Sequence, residues 1–247
     1  MIEKHLNIPT RAGSTDSFVC HPERGGPWPA VVFFMDAPGI REELYDMARR
    51  LATVGYYVVL PNLYYRHGHG TTCGPSCTDE TSPEHKRMFE LMLSLSNESV
   101  SEDTADVLKC IDAQPEARRG RLGCVGYCMS GPFAVTAAAR FPDRFAAAAS
   151  FHGVALVTDK ADSPHRIAGK AKGELYLGYG ATDPLTPAAD VDAMRAALKA
   201  TDVRHELEVY EGATHGFVFP GRAGAYHKAS AERHWERLLD LFRRNLA

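Results

Sequence analysis

The chain has 247 residues, 45% hydrophobic and 24% charged, which is enough apolar material for a full core in one large α/β domain, 1–247, with no linker-like stretch to divide it. A formal charge of −3 leaves no footprint for nucleic acid or an anionic membrane surface. No apolar run approaches a membrane span, Met1-Ile2-Glu3-Lys4-His5 does not open a signal segment, and six scattered cysteines suit a reducing, cytoplasmic setting.

Residues 1–22 are read as an antiparallel edge hairpin. The β-branched and aromatic run 29–35 predicts a strand, 43–54 an amphipathic helix, and 56–60 a second apolar strand after Gly55. Helices are predicted over 84–95 and 102–113, the second with Ser101 as its N-cap and a stop before Pro115. Residues 122–125 form a strand that runs into a small-residue helix ending at Arg140. Strands at 146–151, 174–179 and 206–210 then alternate with helices at 187–200 and 225–245. Short, continuously apolar strands between helices imply a mostly parallel sheet with helices on both faces. In such sheets ligands gather at the carboxyl ends of the strands, where Asp36, Cys128, His152 and Asp183 fall.

The junction Gly126-Tyr127-Cys128-Met129-Ser130-Gly131 has the form of a strand-turn-helix elbow with cysteine in the nucleophile slot. Centring it on Ser130 would put Cys128 and Pro132 at the two glycine positions, so Cys128 is the preferred centre. An elbow of this kind requires an acid and then a histidine on loops after later strands. Asp183, in Gly180-Ala181-Thr182-Asp183-Pro184-Leu185, and His215, in Gly212-Ala213-Thr214-His215-Gly216-Phe217, meet that order. His215 would take or hold the thiol proton and later protonate the leaving group, while Asp183 orients it. The oxyanion hole would use the Met129 amide and, from Met35-Asp36-Ala37-Pro38-Gly39-Ile40, the Ala37 amide, because Pro38 has no N–H to donate.

These motifs, with the turn Pro61-Asn62-Leu63-Tyr64, resemble the dienelactone hydrolase family over about residues 29–244. The resemblance implies an α/β-hydrolase fold and hydrolysis of enol lactones or related esters through an acyl-cysteine, with no metal or organic cofactor. In that family a glutamate on the first oxyanion loop helps activate the cysteine; here the position is Asp36, one methylene shorter. Family members that cleave dienelactones also hold the substrate carboxylate with arginines. Phe219 stands at the closest match to one of them, Arg222 follows three positions later, and Arg87 matches another loosely. A neutral, apolar ester or lactone therefore competes with an anionic dienelactone as substrate.

Residues 66–77 carry two histidines and two cysteines among glycines, a spacing that fits no standard zinc pattern and suits a cap loop over the site. Tyr64 and His152 are further candidates to border the pocket. The chain is thus expected to be a cysteine hydrolase of a small-molecule ester or lactone, a monomer or small homo-oligomer, with no metal, nucleic acid or membrane partner. A thioesterase or a hydrolase of activated phosphoesters would share the triad, and a non-catalytic binding or redox-sensing protein would keep only the oxidisable Cys128.

Overall fold

Residues 1–247 are described by a computed structural model, whose contacts fall into two units, Met1–Gly120 and Arg121–Ala247. In the first, β1 (Ile2–Thr10) and β2 (Gly13–His21) pair antiparallel, with Thr10 opposite Gly13 across a two-residue turn. The expected edge hairpin is therefore present. β2 also pairs antiparallel with β4 (Tyr57–Pro61), which runs parallel to β3 (Ala30–Phe34), so the order is β1-β2-β4-β3. β3 and β4 are buried throughout, the state expected of unbroken apolar runs. Between them α1 (Glu42–Thr53) buries Leu44, Met47, Ala48, Leu51 and Ala52, one stripe at helical spacing.

Two helices complete this unit, α2 (Pro83–Leu93) and α3 (Asn97–Asp112). The start of α3 corrects the sequence reading. The helix is capped by Ser96, whose hydroxyl accepts the Ser99 amide at 3.0 Å while the Ser99 hydroxyl accepts the Ser96 amide at 3.0 Å. This reciprocal box has serine where glutamate or glutamine would announce it in a sequence. Ser101 lies inside the helix, with its hydroxyl donating to the Asn97 carbonyl at 2.6 Å.

In the second unit β5 (Leu122–Tyr127), β6 (Phe145–Phe151), β7 (Glu174–Gly180) and β8 (His205–Tyr210) lie in that order, all parallel. β5, β6 and β7 are wholly buried, whereas β8 at the edge is mostly half-exposed. The connections carry α4 (Gly131–Arg140), α5 (Pro164–Ile167) and α6 (Ala188–Lys199), and α7 (Lys228–Leu246) follows β8. The short α5 has no counterpart in the sequence reading because four residues are too few to show a periodicity. α7 buries Ala231, His234, Trp235, Leu238, Leu241 and Phe242 along one face. The chain thus has the α/β-hydrolase fold, a mixed, largely parallel sheet with flanking helices. No helix is long and apolar enough to cross a membrane.

Ser96→Ala should lower stability by about 1 kcal/mol in urea denaturation, the usual cost of losing an N-cap. Ser101→Ala should cost less, since its hydroxyl only returns to a carbonyl already bonded within the helix; equal losses would restore Ser101 as the cap.

Candidate active site

At the end of β5 the chain must turn from strand to helix with almost no room. A Cβ on Gly126 would lie 2.1 Å from the Ser130 carbonyl oxygen, and one on Gly131 would lie 2.4 Å from Ser150 Oγ and 2.6 Å from Gly153 Cα. Both positions therefore exclude any side chain. Cys128 sits between them at φ 55°, a left-handed conformation that a residue with a Cβ adopts only when its surroundings force it. A short 3-10 turn, Cys128–Ser130, then leads into α4. Ser130 is fully buried, its hydroxyl accepting the Tyr127 amide at 2.9 Å and donating to the Tyr127 carbonyl at 3.0 Å. It fastens the elbow, which explains its place where a glycine is usual.

The loops after β7 and β8 are stitched together. The Thr182 amide donates to the Ala213 carbonyl at 3.0 Å, and the Thr214 hydroxyl to the Thr182 carbonyl at 3.2 Å. Gly180 makes room, since a Cβ there would lie 2.8 Å from the same Ala213 oxygen. The result is a linear array: Asp183 Oδ2 lies 2.8 Å from His215 Nδ1, and His215 Nε2 lies 3.1 Å from Cys128 Sγ. The other carboxylate oxygen of Asp183 accepts the Leu185 amide at 2.8 Å, so the carboxylate is held from both sides. The Asp183 side chain is fully buried and that of His215 is 11% exposed, so the carboxylate end of the array is closed to solvent.

Burial opposes a charge on His215, but hydrogen bonds to Asp183 and Cys128, and the negative charge at both, outweigh it. The imidazole pKa is pushed up to about 9. These partners favour the charged form of the ring, which can pair with an anion and donate a proton. Elsewhere, burial first, then Cys77 and Asp36, push the Cys73 thiol up to about 12, and burial alone drives Cys124 well above its ordinary value.

His152 directly follows β6 and is without exposure, its ring 4.9 Å from that of His215. Phe219 is also fully buried, packed on Tyr127 and His152. The Arg222 guanidinium lies 5.2 Å above the Phe219 ring, and its Nη1 is 2.5 Å from where a Gly216 Cβ would stand. A cation thus stands over Phe219, beside the residue that follows His215.

In the first unit, Asp36 is fully buried and gripped by Arg41, with Nη1 to Oδ1 at 2.6 Å and Nη2 to Oδ2 at 3.1 Å. Arg41 also donates to the Gly39 carbonyl at 3.2 Å and to Glu43 at 2.6 Å. The Ala37 carbonyl accepts the Tyr64 hydroxyl at 2.8 Å and the Cys73 thiol at 3.1 Å. Tyr64 is fully buried, so it braces the 36–39 loop from within, and Arg87 stands exposed on α2. Cys73 and Cys77 are buried free thiols. Sequence reasoning missed Arg41, because an ion pair folded back across a turn has no periodicity to betray it.

A profile described as the dienelactone hydrolase family matches residues 15–246. Among curated proteins, one assigned as a carboxymethylenebutenolidase in Methylorubrum extorquens is 28% identical, over 98% of this chain and 81% of its own length. One with the same assignment in Escherichia coli K12 is 29% identical, over 96% and 85%. The crystal structure of a protein assigned as a dienelactone hydrolase from Klebsiella pneumoniae is 29% identical, with a TM-score of 0.84 and 98% of each chain covered.

A histidine pKa raised from 6.5 to about 9 on folding contributes stability that is fully present below pH 6.5 and is lost as pH rises through 9. Asp183→Asn removes a hydrogen bond and a charge that favour the cation, so this loss should move to lower pH. Urea midpoints measured from pH 6 to 10 for both proteins check it; superimposable pH curves would contradict the assigned ion pair.

Proposed function

Because the chain belongs to the dienelactone hydrolase family and is a hydrolytic enzyme of that kind, we propose that it cleaves an activated ester or enol lactone through an acyl-Cys128 intermediate. The observation that carries this reading is the hydrogen-bonded line Cys128–His215–Asp183 at an elbow whose central residue is held at φ 55°. The family match across residues 15–246 supports one catalytic domain.

In this reading the Cys128 sulfur attacks the ester carbonyl as a thiolate paired with the His215 cation. A C–S bond forms, the carbonyl π pair moves onto oxygen, and the Met129 amide stabilises that oxyanion. The C–O bond to the leaving group then breaks as His215 delivers its proton to the departing oxygen. Water, deprotonated by the now neutral His215, attacks the thioester, and the thiolate leaves beside the restored imidazolium. Asp183 keeps His215 in one tautomer and balances its charge in both halves.

A thiolate is also a good leaving group, so the first tetrahedral intermediate of an alkyl ester tends to revert. An enol leaving group that becomes a ketone does not return, which favours enol lactones, and an activated aryl ester competes because its aryloxide leaves about as readily as the thiolate. The Arg222 cation beside the His215 loop supports keeping carboxylate-bearing lactones in the panel alongside neutral ones.

Cys128→Ala should reduce aryl ester turnover by at least about a thousandfold, while an activated ester should add one acyl mass to Cys128 in the unaltered enzyme. Near-native turnover in the variant would overturn the acyl-cysteine, and absence of both turnover and acylation would favour the redox-sensing alternative. A panel of dienelactone, neutral lactones, aryl esters, thioesters and activated phosphoesters then separates the substrate classes.

A further inference from the structure

His152 is a puzzle on energetic grounds. Its side chain is fully buried, yet neither Nδ1 nor Nε2 has a hydrogen-bond partner. Its backbone is also left-handed, at φ 38°, held by its amide's 2.7 Å bond to the Gly178 carbonyl. A phenylalanine would fill the same space with no orphaned polar atom, so packing alone does not account for an imidazole here. Three of its aromatic neighbours are apolar or neutral: Phe217 and Phe219 lie edge to face at 5.6 and 5.5 Å, and Tyr127 is tilted at 6.0 Å. The fourth is His215, at 4.9 Å and 76°.

The two hydrogen bonds of His215 run from Asp183 on one side to Cys128 on the other. They define a line, and tilting of the ring about that line is left to a neighbour set across it. His152, at 4.9 Å and 76°, is a ring placed close enough to restrain it. Because neither of its nitrogens has a partner in another residue, it can carry its proton on either one, and the nitrogen nearer His215 can be the bare one. The negative end of the imidazole dipole would then face the His215 cation, which a phenyl ring cannot reproduce.

We propose that His152 is a positioning residue for the triad proposed above: a neutral imidazole whose free tautomer turns its lone pair toward His215, favouring that ring's charged form and fixing its tilt. The surroundings support neutrality. Burial, and then the charges of His215, Arg222 and His234, drive the His152 pKa well below the ordinary histidine range. Tyr127, the remaining titratable neighbour, presents its hydroxyl to His234 at 2.9 Å. Around His215 itself the titratable hydrogen-bond partners are Asp183 and Cys128.

The test is an NMR titration of protein carrying 15N- and 13C-labelled histidine from pH 5 to 10, with His152→Phe and His215→Gln used for assignment. In the unaltered protein His152 should stay neutral throughout, and its tautomer ratio should change in step with the titration of His215. In His152→Phe, shown to be folded by its thermal melt, the His215 pKa should fall by roughly half a unit or more. Protonation of His152 within this range, a tautomer ratio indifferent to His215, or an unmoved His215 pKa in the variant would each overturn the proposal. Should the variant not fold, the titration of the unaltered protein decides alone. None of these readouts depends on turnover, so a failure here is distinct from a failure of the acyl-cysteine mechanism.

Discussion

The close approach of chain at the elbow governs everything around Cys128. With 2.1 Å between a hypothetical Gly126 Cβ and the Ser130 oxygen, and 2.4 Å between one on Gly131 and Ser150, strand and helix meet closely enough to force the intervening residue into the left-handed region. Ser130 then bonds both the amide and the carbonyl of Tyr127, so the turn cannot relax by letting the strand end slip. The strain at Cys128 is sustained by its neighbours rather than by its own side chain. The Cys128 carbonyl adds one more hold by accepting the Val154 amide at 3.1 Å, and the thiol is left to meet His215.

Facing this rigid turn are two loops that hold each other. Bonds between residues 182 and 213–214 make the loops after β7 and β8 one body, and Asp183 is pinned by both His215 and the Leu185 amide. Such preorganisation matters because a charge that appears on His215 needs no rearrangement to be met. The raised pKa of His215 reflects the same fact, since burial works against the cation and fixed partners prevail over it.

Much of this was legible in the sequence because it rests on local pattern. Unbroken apolar runs marked β3, β4, β5, β6 and β7, and the elbow glycines with an acid and a histidine in order marked Cys128, Asp183 and His215. What escaped rests on contacts between residues that carry no pattern. The cap of α3 uses Ser96 and Ser99 in place of a serine and a glutamate, so the apolar periodicity drew the start too far along the chain. The four-residue α5 lies below the length at which periodicity can be seen. Asp36 looked available because its partner, Arg41, reaches back across a turn. His152 was visible as a histidine at a strand end, but its unpartnered nitrogens exist only in three dimensions.

The stacking of Arg222 on Phe219 bears on how relatives of this chain are sorted. Read along the chain, an apolar Phe219 follows the His215 loop and an arginine stands three positions on. In space the two belong together: the aromatic ring is a shelf, and the guanidinium stacked on it lies beside the turn that follows His215. Specificity classes drawn from aligned letters would place this protein among those without a cation at that turn, whereas classes drawn from the position of charge would not. Where a side chain's reach exceeds the spacing of residues along the backbone, a substitution and its compensation need not share a column.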